Sequence, residues 1–316
     1  MDIHVFYALI GFMLAAYSVI GNDSVQTLGT FIASNQRVIK WYWLWLAASL
    51  VLICTMSYSW IAYDGDISFG RLERIPYEPV QWYHVMAPII LVAITRFGIP
   101  VSTTFLVLST FANDALIEDM LVKSVVGYVV AAIAAYIIWV VLSRFINEKF
   151  NLVKREHRMH WRVLQWFSTG FLWFTWLSHD MANIGVYLPR QLPLWMLIGC
   201  LIVLCGWLGY IFRNHGGKIQ KIILEKTGSR FMRSATIIDL VYAFLLLFFK
   251  ELNNVPMSTT WVFVGLLCGR ELAIATTNKT YKLGYVFPII GRDFLKMMIG
   301  LAVSVGLVLS IHYFIE

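Results

Sequence analysis

Long uninterrupted apolar runs dominate the polar pattern of this chain. Residues 41–62, 124–143, 191–212 and 297–315 contain no formal charge. Each is about the 20 residues that a helix needs to cross a hydrocarbon core. Residues 3–20 and 163–178 are shorter runs of the same kind. The pattern predicts an all-α polytopic membrane protein, and composition agrees: 59% of residues are hydrophobic and 14% charged, against roughly 25% charged in soluble domains. The run at 3–20 has no preceding Lys or Arg and no small-residue cleavage pattern, so it is expected to stay as a helix. The net charge of +7 encodes orientation in such a chain and not nucleic-acid binding. Cys54, Cys200, Cys205 and Cys268 sit inside apolar runs without metal-ligand spacing, as core residues do.

Two polar interruptions occur twice. "GIPVSTTF" at 98–105 returns as "NVPMSTTW" at 254–261, and Asn22-Asp23 is echoed by His179-Asp180 at an offset of 157. Two motifs kept at one spacing indicate an internal duplication. The halves are 1–146 and 163–316, joined by a basic connector at 147–162. Equivalent loops carry opposite charge. Residues 64–80 hold Asp64, Asp66, Glu73 and Glu78 against two arginines, while residues 213–233 hold six bases and one acid. Residues 113–121 are acidic and residues 270–283 basic. By the positive-inside rule the repeats are inverted, with both termini outside and the connector cytoplasmic. The loops flanking each proline motif share a sign, which implies a re-entrant or broken helical hairpin in each half.

A break at depth frees backbone groups that only protein or water can satisfy. Pro100 and Pro256 are expected to open half-helices. Ser102, Thr103 and Thr104, with Ser258, Thr259 and Thr260, would then line two first turns, where free N–H groups and hydroxyls suit an anion. The plainer reading has these hydroxyls bonding back to their own helix. Asp23 with Asn22, and Asp180 with Asn183, offer the hard oxygen donors of a Na⁺ site or a proton carrier. Accessory candidates are Gln26, His179, a possible titrating group or anion donor, and Arg96, placed first among Arg96, Lys250, Arg270 and Arg292 as a charge for an anion. Aromatic clusters such as "WYWLW" at 41–45 read as interfacial anchors.

These residues together resemble the inorganic phosphate transporter (PiT) family, which also contains sulfate permeases. "NDSVQTLGTFIAS" at 22–34 and "HDMAN" at 179–183 match its Asn-Asp signatures, and "PVSTT" at 100–104 and "PMSTT" at 256–260 its hydroxyl signatures. The resemblance implies an anion at the two hydroxyl tips and cation coupling, by Na⁺ or H⁺, through Asn22, Asp23, Thr30, Asp180 and Asn183, with no other cofactor. Na⁺ itself would sit at Asn22, Asp23, Asp180 and Asn183. A homodimer with a moving transport unit is also implied. The chain departs from the family at Gln26 and His179, which replace Asn, and at Phe105 and Trp261, which replace His. The expected function is cation-coupled symport of phosphate, with sulfate or another oxyanion as the alternative. A transport-inactive sensor, and an intramembrane enzyme with Asp23 and Asp180 as its acid pair, are the remaining readings; an enzyme is not expected. Compact loops suggest a prokaryotic inner membrane.

Overall fold

The computed structural model describes residues 2–36, 38–96, 101–145, 158–216, 232–252, 255–277 and 283–315. All regular structure among them is helical. The first half contains α1 (Ile3–Asn35), α2 (Trp41–Ala62), α3 (Trp82–Arg96), α4 (Thr103–Leu108) and α5 (Asp114–Phe145). The second contains α6 (Arg158–Asp180), α7 (Ala182–Gly185), α8 (Leu194–Arg213), α9 (Met232–Leu252), α10 (Thr259–Thr277) and α11 (Leu283–Ile315). With α6 and α7 taken together, the second half repeats the element order of the first. The halves interleave reciprocally: α1 packs on α8, and α6 packs on α2.

Among the described residues five helices are long and apolar enough to cross a membrane: α1, α2, α5, α8 and α11. The chain is an integral membrane protein. Several elements outrun their apolar runs. Asn22-Asp23, expected at the end of a span, lies inside α1, a helix of 33 residues that runs on to Asn35. The cost of its polar interior is met by partners on other helices. In the second half the equivalent helix breaks at Met181, directly after Asp180.

Other sequence expectations shift at their edges. Of the connector 147–162, residues 147–157 lie outside the described residues and 158–162 already belong to α6. Arg270 and Glu271, expected in a loop, are inside α10, where Arg270 Nη1 pairs with Glu271 Oε1 at 3.0 Å. The acids of 113–121 open α5: Asn113 Oδ1 accepts from Leu116 N at 2.9 Å, and Asp114 complements the helix dipole.

The tightest packing is that of α10 on α5. A Cβ at Gly265 would collide with the carbonyl of Tyr128, and one at Gly269 with that of Ala132. The two glycines, one turn apart, let the helices approach backbone to backbone, the small-xxx-small contact of membrane helices. Because α10 begins at the second hydroxyl motif, this contact fixes where that tip stands.

Candidate functional site

A carboxylate removed from water needs donors, and Asp23, fully buried in α1, has three. Asn22 Nδ2 donates to Oδ1 at 2.7 Å, Gln26 Nε2 to the same oxygen at 3.3 Å, and Thr103 Oγ1 to Oδ2 at 2.7 Å. Asp180 is also fully buried. Its Oδ1 accepts from Thr104 Oγ1 at 3.2 Å and Asn183 Nδ2 at 2.9 Å. Asn183 Nδ2 further donates to Thr103 Oγ1 at 3.0 Å. Two consecutive threonines of α4 thus each hold one aspartate, and the aspartates come from opposite halves.

Helix starts at the two tips are set by serine. Ser102 Oγ accepts from Phe105 N at 3.2 Å, and Ser258 Oγ from Trp261 N at 3.3 Å; both are N-caps. This corrects the expectation for proline. Pro256 lies in the non-helical stretch before α10, and Pro100 is outside the described residues. The tips meet: the rings of Phe105 and Trp261 lie 5.8 Å apart. Gln26 Nε2 reaches across to Thr260 Oγ1 at 3.4 Å, joining α1 to the second tip. Ser258 N donates to Ser124 Oγ at 2.8 Å, and Tyr242 OH to the Thr259 carbonyl at 2.9 Å.

Four buried oxygens in this group have no hydrogen-bond partner among the described residues: Gln26 Oε1, Asp180 Oδ2, Asn183 Oδ1 and Thr259 Oγ1. Thr259 lies beside Asp180 without completing a bond to it. Carboxylate, amide and hydroxyl oxygens are the hard donors that suit an alkali cation.

The loop after α2 delivers a charge to the same region. Asp66 accepts from Ser68 N at 2.7 Å, Ser68 Oγ at 2.6 Å and Gly70 N at 2.8 Å, and Gly70 takes a positive φ of 73° that suits glycine. This tight turn buries Arg71, whose Nε donates to the Ser178 carbonyl at 2.9 Å and Nη1 to that of Val255 at 3.3 Å. Lys123 Nζ donates to the Val255 carbonyl at 2.7 Å. Arg71 therefore ties the end of α6 to the stretch leading into the second tip.

A solved structure matches this fold from end to end. It is "The sodium-dependent phosphate transporter", similar at a TM-score of 0.61 and 17% sequence identity over 100% of both chains. At that identity the likeness establishes the fold. No family model matches the sequence, and no curated protein matches it.

Of the residues singled out in the sequence, Asn22, Asp23, Gln26, Thr103, Thr104, Asp180, Asn183, Thr259 and Thr260 come together, with Ser102 and Ser258 capping the two tips. Thr30 does not join them; its hydroxyl turns to Asp239. His179 faces Arg71 and the Leu246 carbonyl, 2.7 Å from Nε2, and not the hydroxyl tips. Arg96 closes α3, and its side chain lies outside the described residues. Sequence reasoning missed Arg71, Lys123, Tyr242 and Asp239. Asp239 had a visible signal, a lone carboxylate within "ATIIDLVYAF". Arg71 had none, because its loop reads as ordinary extramembrane polarity.

Proposed function

We propose that the chain is a secondary transporter that carries inorganic phosphate with Na⁺, and not an enzyme. The observation that carries this reading is the double bridge from Thr103 to Asp23 and Thr104 to Asp180. It makes the anion-binding hydroxyls and the cation-binding carboxylates one hydrogen-bonded unit. The whole-chain likeness to a sodium-dependent phosphate transporter supports it.

Coupling follows from who holds the threonine protons. With both carboxylates charged, the hydroxyls of Thr103 and Thr104 are committed to them, and two negative charges beside the tips repel an oxyanion. A Na⁺ at the open oxygens of Gln26, Asp180, Asn183 and Thr259 offsets that charge. The hydroxyls, with the first-turn N–H groups that the serine caps do not take, can then serve phosphate. Each ligand thereby raises the affinity for the other, which is the reciprocity that symport requires. Opposed loop charges support inverted halves with the connector cytoplasmic.

Sulfate is the second reading, because Phe105 and Trp261 pack an apolar pair where the PiT signature has histidines. Purified protein in liposomes, given radiolabelled phosphate with and without an inward Na⁺ gradient, is the test. Na⁺-driven phosphate uptake that excess sulfate leaves intact is expected. Sulfate uptake in its place would transfer the same site to the other oxyanion, and uptake of neither anion under a Na⁺ or H⁺ gradient would overturn transport.

A further inference from the structure

One buried carboxylate takes no part in the mechanism above. Asp239, on α9 and 1% exposed, accepts from Thr30 Oγ1 at 3.0 Å on Oδ1 and 3.2 Å on Oδ2, and from Thr169 Oγ1 at 2.6 Å on Oδ2. We propose that Asp239 is a proton-binding site, distinct from the Na⁺ and phosphate sites, at which the hydroxyls of Thr30 and Thr169 tie protonation to the packing of α1, α6 and α9. The link to transport rests on the symport reading; the site itself does not.

The choice of proton over metal ion is a matter of room and donors. The oxygens of Asp239, Thr30 and Thr169 already touch at hydrogen-bond distance, so no cation fits between them, and none of the three is left without a partner. That is the reverse of Asp180, whose Oδ2 has no hydrogen-bond partner among the described residues. A proton needs no space. Hydroxyls also accept either state: with Asp239 charged both threonines donate to it. With Asp239 protonated, its O–H donates to one threonine, whose own proton turns to a carbonyl one turn back. The proton moves between a carboxylate oxygen and water, and nothing else is exchanged.

Among the described residues no charged group acts on Asp239. On α1 the nearest titratable side chain is Asp23, seven residues from Thr30 and so about 10 Å along the helix. On α6 Arg162 lies seven residues before Thr169, and His179 and Asp180 lie beyond it. On α9 Arg233 stacks over Trp161 and Tyr242 is committed to Thr259. On α10 Arg270 and Glu271 pair with each other, and on α5 Lys123 is held at Val255. The charge on Asp239 is therefore set by its two hydroxyls and by access to water. Thr30 belongs to the first half and Thr169 and Asp239 to the second. A displacement of α1 against α6 removes one donor and changes proton affinity, and by linkage proton binding biases that displacement.

The repeat offers a comparison. At the offset of 157 that relates the two Asp motifs, Thr30 corresponds to Tyr187. Tyr187 OH donates to the His84 carbonyl at 2.9 Å, and Phe111 stacks on the His84 ring at 3.9 Å. The counterpart is a plug of rings; the carboxylate exists on one side alone.

The test uses full-length protein in liposomes at a fixed Na⁺ gradient, with uptake measured across pH for wild type and Asp239→Asn. Phosphate's own ionisation contributes equally to both profiles, so their ratio reports the protein. A several-fold flattening in Asp239→Asn with unchanged Na⁺ half-saturation is expected. Infrared titration of the protonated carboxyl band reads the site without transport: Asp239→Asn should remove a band, and Thr169→Val, which keeps the acid, should move its midpoint. Superimposable pH profiles, or a carboxyl band that neither substitution alters, overturns the proposal. Absence of uptake in wild type would strike the symport reading, while the infrared titration would still decide on Asp239.

Discussion

The two halves present the same motifs in different hydrogen-bond states. Asp23 has donors on both oxygens, whereas Asp180 has them on one. The first tip heads the six-residue α4, wedged among α3, α7 and α11; the second heads the 19-residue α10, seated along α5 by Gly265 and Gly269. A duplicated sequence has become one braced and open half and one saturated and slender half. Equivalent positions should therefore respond unequally to the same change.

The largest inequality concerns the brace. Gly269→Leu drives a side chain into the Ala132 backbone, which cannot yield as a flexible side chain does. The loss should exceed the roughly 1–3 kcal/mol of ordinary overpacking, and little monodisperse protein should survive size-exclusion chromatography. Gly206→Leu, at a glycine facing open space, should behave as wild type. Equal yields would show that α10 does not depend on this contact.

Next in size are the carboxylates. Asp180→Asn removes the charge on the open side, and loss of a charged ligand contact of about 1.5–3 kcal/mol corresponds to roughly 10–150-fold weaker Na⁺ binding. Thermal stabilisation by Na⁺ should largely vanish. Asp23→Asn should fold and lose coupled uptake yet retain part of that stabilisation, because the open oxygens remain. Identical Na⁺ titrations in the two variants would erase the distinction between halves.

What the sequence showed and concealed follows from range. Asn22, Asp23, Asp180, Asn183 and the two hydroxyl triplets were legible because polar residues in oil are costly and these recur in order. The spans were legible from length alone. Ser102 and Ser258 as caps were legible in type but not in position, since proline and serine both suit a helix start and only geometry separates them. Arg71 and the Phe105–Trp261 contact depend on chain segments far apart in sequence, and no local pattern encodes such meetings. Thr30 shares a signature with Asp23, yet seven residues of helix put it on the next site along.

A smaller effect separates the threonines. Thr103→Val deletes a donor to Asp23 and an acceptor for Asn183, leaving buried groups unpaired at about 1–3 kcal/mol. Thr259→Val deletes a hydroxyl with no partner and should leave the melting temperature nearly unchanged. Both should weaken phosphate binding, so melting curves and uptake together distinguish a structural hydroxyl from a ligand-facing one. If Thr259→Val proves the more destabilising, the open character of the second site is wrong.

The smallest expected effect lies at Gln26, the α1 side chain that joins Asp23 to the second tip. Gln26→Asn restores the residue type of the PiT signature but shortens the side chain by one methylene. At 3.4 Å the contact to Thr260 has no slack, so Asn keeps at most the bond to Asp23. A neutral bond of about 0.5–1.5 kcal/mol predicts a two- to tenfold rise in the Na⁺ concentration for half-maximal uptake, with maximal rate little changed. Because Gln26 also contributes an open oxygen, the rise should appear in Na⁺ titration before it appears in phosphate titration. The reverse order would place Gln26 at the anion, and would make the bond to Thr260, not the one to Asp23, its functional contact.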